Sequence, residues 1–206
     1  NENQAKMFFV TSSFPQEGKT FVSANLAATF ALSGKKVLLI GMDIRSPRLD
    51  KYFTIPNKGL TNYLSTNGID IHDLIIKQKG YDDFYVLPAG IIPPNPAELL
   101  MGKKVEELLE LLKSEYDYII VDTAPIGLVA DTLLIAKYAD CFIYVFRANF
   151  LGKRMLNIPN SLYKEKKLPN ICLLLNDTDS TKGYGYGYGY KIKTNKSWYE
   201  KFIKNS

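Results

Sequence analysis

The chain has one histidine, one tryptophan, two cysteines, and no apolar run approaching the roughly 20 residues a membrane-spanning helix needs. Each scarcity removes a class of function. His72 stands alone, with nothing at metal-ligand or triad spacing around it, so zinc hydrolysis and Ser-His nucleophilic catalysis have no carrier. It reads as a surface histidine. Two cysteines do not make a disulfide framework; Cys141 and Cys172 lie in apolar, strand-like runs and are expected to be buried free thiols in a reducing cytoplasm. No signal-peptide pattern opens the chain, which reads as soluble, and its start at Asn1 rather than Met suggests a domain of something longer, with room for a membrane anchor upstream. An excess of one charge is missing from the body as well. Six lysines and one glutamate between Lys182 and Ser206 account for the whole net charge of +5. A neutral body has no basic stripe for a polyanion, so no nucleic-acid partner is expected.

What is present is alternation. At 206 residues the chain has the length of one α/β domain. Strand-like runs at Met7 to Thr11, Lys36 to Met42, Tyr85 to Pro88, Tyr118 to Asp122, Cys141 to Phe146 and Asn170 to Leu175 are interleaved with helical patterns. The helices are expected from Thr20, after Pro96, at Asp131 to Tyr138 and at Gly152 to Lys166. Val105, Leu108, Leu109 and Leu112 form one apolar stripe, and Pro96 suits a helix N1 position. Arg45 to Lys58, with Pro47 and Pro56, reads as irregular, and Leu60 to Gln78 as short and helical. This order predicts a mostly parallel sheet with helices on both faces, binding ligands at the carboxyl ends of its strands.

The chemistry is declared between the first strand and the first helix. Ser13-Phe14-Pro15-Gln16-Glu17-Gly18-Lys19-Thr20 meets G-x-x-x-x-G-K-[ST] except at its first position, where serine stands for glycine. Such a loop turns backbone N–H groups toward phosphate oxygens in front of a helix N-terminus; a lysine supplies a mobile ammonium and a threonine a hydroxyl for Mg²⁺. The fold class is therefore α/β, P-loop NTPase-like. Asp122 closes an apolar strand, the place from which a carboxylate orients Mg²⁺ in P-loop proteins. Gly183 to Tyr190 alternates glycine and tyrosine and is expected to be a flexible tail presenting phosphoacceptors.

The succession S-S-F-P-Q-E-G-K-T, G-M-D-I-R, P-P-N-P-A-E-L-L, Y-D-Y-I-I-V-D-T-A-P and a terminal tyrosine cluster resembles the bacterial tyrosine kinases, the cytoplasmic kinase domains of polysaccharide co-polymerases. The resemblance spans nearly the whole chain. It implies a kinase domain over 1–180 and a Gly/Tyr and basic tail over 181–206. ATP and Mg²⁺ are the implied cofactors. Phe14, Pro15, Gln16, Glu17, Gly18, Lys19, Thr20 and Phe21 would line the nucleotide, with Asn176 where related P-loop ATPases read the adenine edge. Lys19, Asp43 and Asp122 would be catalytic; Thr20, Asp43 and Asp122 would hold the metal. Tyr184, Tyr186, Tyr188 and Tyr190 would accept phosphate in trans. The implied partners are a second copy in a possible ring oligomer of the full-length protein, a membrane-anchored co-polymerase or activator module in the same or a separate chain, and a cognate tyrosine phosphatase. The implied location is the cytoplasmic face of the bacterial inner membrane. The third motif normally reads D-x-D-x-R, and Gly41 replaces its first acid, leaving Asp43 as the motif's only candidate base. A partition or septum-positioning ATPase of the same fold carries a second lysine where this chain has Phe14. A catalytically weak ATP-binding adaptor is the other alternative.

Overall fold

The computed structural model describes residues 6–168 and 170–178; the tyrosine cluster Tyr184, Tyr186, Tyr188 and Tyr190 lies outside the described residues. Seven strands form one sheet: β1 (Lys6–Ser12), β2 (Val37–Gly41), β3 (Ile76–Lys77), β4 (Phe84–Leu87), β5 (Tyr118–Asp122), β6 (Cys141–Arg147) and β7 (Ile171–Asn176). Their order is β3-β4-β2-β5-β1-β6-β7, parallel throughout except for the β3–β4 pair. The helices are α1 (Lys19–Leu32), α2 (Leu60–Ser65), α3 (Pro96–Met101), α4 (Lys103–Lys113), α5 (Asp131–Leu134) and α6 (Asn157–Lys164).

The central strands are apolar at nearly every position because both faces are covered. In β1, Met7 and Phe9 join one core cluster while Val10 joins the other, and in β2 Leu38 and Ile40 part from Val37 and Leu39 in the same way. Each face is thus filled by alternate residues of one strand, as the two-residue period dictates. The small side chains of α1, from Ala24 to Ala31, let its backbone lie close against one face. On the other face α4 buries Val105, Leu108, Leu109 and Leu112, the stripe read from spacing. Fully burying one such aliphatic side chain is worth about 1.5–3 kcal/mol.

Three expectations need correction. The stretch read as helical to Gln78 holds only the short α2, a 3-10 turn and the antiparallel strand β3, because the chain turns extended at Thr66 and left-handed at Gly68 (φ 82°). The helices expected at 131–138 and 152–166 each divide into an α-helix and a 3-10 turn. The cysteines are not buried: Cys141 is half-buried and Cys172 exposed, because β7 is an edge strand whose neighbouring helix is short. Pro96 does open α3, and His72 does lie at the surface, bonded to Asp70 and Glu115. Among the described residues no helix is long and apolar enough to cross a membrane.

Candidate active site

Parallel order brings the carboxyl ends of β1, β2 and β5 side by side, and all three carry the motif residues. The loop leaving β1 turns through two left-handed residues, Gln16 at φ 70° and Gly18 at φ 97°. Alternating handedness turns successive N–H groups toward one point, and no side chain caps the first turn of α1. The result is an anion cradle backed by a helix N-terminus. Glycine is needed at 18 twice over, for its φ and because a Cβ there would collide with the Asn176 amide.

Lys19 opens α1 and turns its ammonium inward. Its Nζ lies 2.8 Å from Asp43 Oδ2 and 3.7 Å from Asp122 Oδ1, and all three residues are buried. Burial alone would lower the Lys19 ammonium, but the Asp122 and Asp43 charges outweigh it; the net direction is up and the charge is kept. Burial pushes the Asp122 carboxyl up, opposed by Lys19 and by the Thr20 and Ser23 hydroxyls. The Asp122 carbonyl accepts from the N–H groups of Met42 and Asp43 at 2.8 and 3.0 Å, which fixes the motif after β2 against the end of β5. Asp43 Oδ1 accepts from Ser46 N at 3.0 Å, so each of its oxygens is oriented.

Several neighbours were not legible as site residues. Arg45 clasps the buried Asp131 with two bonds of 2.6 and 3.0 Å, propping the motif loop on α5. Ser23, one turn after Lys19, donates to the Lys19 carbonyl and stands 3.4 Å from Asp122 Oδ1. The signal for Asp131 was faint: a lone acid at the head of the apolar run D-T-L-L-I-A. Asn176 ends β7 and donates from Nδ2 to the Glu17 carbonyl at 3.1 Å, so it is held against the loop. Phe14 is half-buried, Pro15 and Gln16 are exposed, and the exposed Phe21 ring lies 6.4 Å from Tyr52.

Beside Asp43 and Asp122 opens a cavity of about 270 Å³. Gly41, Pro47, Leu49, Pro88 and Ala89 help line it, with the exposed Arg48, Asp50, Asn57 and Ile92. At Gly41 an added Cβ would stand 3.0 Å from Leu49 Cδ1 and 3.1 Å from the Ala89 nitrogen. A first motif acid would therefore begin in tight contact with Leu49 and the chain after β4, which would have to give by a few tenths of an ångström.

The cradle, the lysine and the carboxylates suit a nucleotide phosphate chain. Among the described residues there is no group of three or more His, Cys, Asp or Glu able to hold a metal by themselves. A metal here would need phosphate and water oxygens to complete its shell. That matches Mg²⁺, which favours a few hard oxygen ligands from protein and the rest from substrate.

A family model described as an AAA domain matches residues 16–157. The tyrosine-protein kinase CpsD of Streptococcus agalactiae serotype III (strain NEM316) is 36% identical over 178 residues, covering 85% of this chain and 76% of that protein. The chain belongs to the bacterial tyrosine kinases. Another family member, the tyrosine-protein kinase etk of Escherichia coli (strain K12), is 38% identical over 147 residues, covering 71% of this chain but only 20% of that much longer protein. The solved kinase domain of Escherichia coli tyrosine kinase ETK superposes with a TM-score of 0.79 at 33% identity, covering 92% of this chain and 73% of that one. The matched family region runs from within the phosphate loop past β6 and so takes in Lys19, Asp43 and Asp122.

Proposed function

We propose that this chain is an ATP-dependent protein-tyrosine kinase that phosphorylates the tyrosines at 184, 186, 188 and 190 of another copy and thereby regulates capsular or exopolysaccharide biosynthesis and export. The observation that carries the reading is the buried Lys19–Asp43–Asp122 cluster, whose two carboxylates line an open, partly apolar cavity. A cavity of about 270 Å³ lies below the ~300–1,000 Å³ of drug-sized ligand pockets and suits a single side chain. Its prolines and Leu49 would pack a phenol ring, with the hydroxyl directed at Asp43.

The chain's own groups then divide the work. The loop N–H groups and the Lys19 ammonium bind the phosphates, Lys19 leaving Asp43 as it turns to them. That frees Asp43 Oδ2 to accept the phenolic proton while the tyrosine oxygen bonds to the γ-phosphorus and the bond to the β–γ bridging oxygen breaks, releasing ADP. Thr20, Asp43 and Asp122 would hold Mg²⁺, which when bound neutralises charge on the β- and γ-phosphate oxygens. Positioning and charge neutralisation supply most of the rate. The reading implies a kinase domain over 1–180 with an acceptor tail over 181–206, acting at the cytoplasmic face of the membrane beside a co-polymerase or activator module, and reversed by a tyrosine phosphatase.

Intact-mass measurement after incubation with Mg·ATP tests it. Phosphate additions mapping to Tyr184 through Tyr190 are expected, reduced by roughly 10³-fold or more in rate in Lys19→Met. Asp43→Ala is expected to lower the rate by ~10²-fold, the range for removing a general base. ATP turnover without tyrosine transfer, with the activator module supplied, would overturn the kinase reading.

A further inference from the structure

Glu17 is the one carboxylate of the phosphate loop, and its side chain turns into the protein. It is 1% exposed, and its Oε1 is the single buried side-chain nitrogen or oxygen among the described residues without a hydrogen-bond partner. Its other oxygen, Oε2, accepts from Phe14 N at 2.7 Å and so ties the loop to itself across three residues. The surroundings add no countercharge. From the end of β1 come Ser12, whose hydroxyl is given to the Phe14 carbonyl, and Ser13, whose hydroxyl meets the Tyr144 hydroxyl of β6 at 3.0 Å. From β6, the Arg147 guanidinium is committed to Asp177 at 2.9 Å and to the Gln16 carbonyl. From β7, the Asn176 amide reaches the Glu17 carbonyl oxygen rather than its carboxyl. On α1, the Lys19 ammonium points away to Asp43 and Asp122.

A buried carboxylate without a cation is costly, and it becomes costlier when a polyanion enters the same loop. The neutral acid keeps Oε2 as the acceptor for Phe14 N–H and places its proton on the orphan oxygen. We propose that Glu17 is a positioning residue that holds the phosphate loop through the Phe14 amide, and that it takes up one proton from solvent when a nucleoside di- or triphosphate fills the loop. Burial already pushes its carboxyl up, opposed first by the Phe14 N–H. The inference rests on the loop as a nucleotide site, which phosphoryl transfer to tyrosine also requires.

Calorimetry with Mg²⁺ and ADP tests it without any phosphoryl transfer, so a failed kinase reading leaves the result interpretable. Binding is measured in two buffers of different ionisation enthalpy from pH 6 to 9. The wild-type chain is expected to take up protons and to bind more weakly as pH rises. Glu17→Gln, a permanent analogue of the neutral acid, is expected to lose that uptake, flatten the pH profile and bind about tenfold more tightly than wild type at pH 9. Glu17→Ala, which loses the bond to Phe14 N, is expected to weaken ADP about tenfold at every pH and, in kinase assays, to raise KM for ATP more than it lowers kcat. Proton uptake equal in wild type and Glu17→Gln would overturn the proposal, and so would a Glu17→Gln variant weakened as much as Glu17→Ala.

Discussion

The centre of the sheet and its β7 edge are built on opposite terms. At the carboxyl ends of β1, β2 and β5, charged groups are buried and each is held by named partners: Lys19 by two carboxylates, Asp43 by Lys19 and Ser46, Asp122 by Lys19 and Ser23. At the edge, apolar groups face water: Leu173 and Leu175 are each 61% exposed, beside the exposed thiol of Cys172. A central strand has neighbours on both sides and helices on both faces, so polar groups there persist only when paired. An edge strand with one short helix nearby leaves part of its surface uncovered. The comparison teaches that hydrophobicity in a strand marks potential burial, while topology decides whether burial happens.

Substitutions can break this contrast in order of size. Under the central sheet, Leu109→Ala deletes a fully buried side chain of α4, and a loss of about 2–5 kcal/mol in urea unfolding is expected. Gly41→Asp forces a side chain against Leu49 and the Ala89 backbone; a loss of about 1–3 kcal/mol is expected, with no gain in phosphorylation rate. A faster enzyme in that variant would show that the missing motif acid can be restored.

His72 sharpens the comparison from the solvent side. Hydrogen bonds to Asp70 and then Glu115 raise its folded value above the ordinary one near 6.5. The stability it contributes is therefore fully present below about pH 6.5 and lost as pH rises through the raised folded value. Because the ring is half exposed, the contribution is expected to stay within the ~0–1 kcal/mol of surface ion pairs. The difference in Tm between wild type and His72→Ala should shrink from pH 5.5 to pH 9; a constant difference would remove the linkage. Smallest of all is Leu173→Ser at the edge, expected within about 0.5 kcal/mol of wild type by the same unfolding measurement.

The sequence by itself determined the phosphate loop, the parallel α/β order and the α4 stripe, because each is written in local spacing. Gly18, Lys19 and Thr20 lie adjacent in the chain, and Val105 to Leu112 repeat with the helical period. Asp43 and Asp122 were legible as strand-end acids. Their shared hold on one ammonium was not, since it joins residues 24 and 103 positions away from Lys19 only after β2 and β5 pair. Tertiary structure alone decided the Arg45–Asp131 clasp, the close approach of Leu49 and Ala89 to Gly41, the half-burial of Cys141 and exposure of Cys172, and the orphaned oxygen of Glu17. Each depends on which strand lies at the centre and which at the edge. Strand order comes from long-range packing, and no local pattern of residues encodes it.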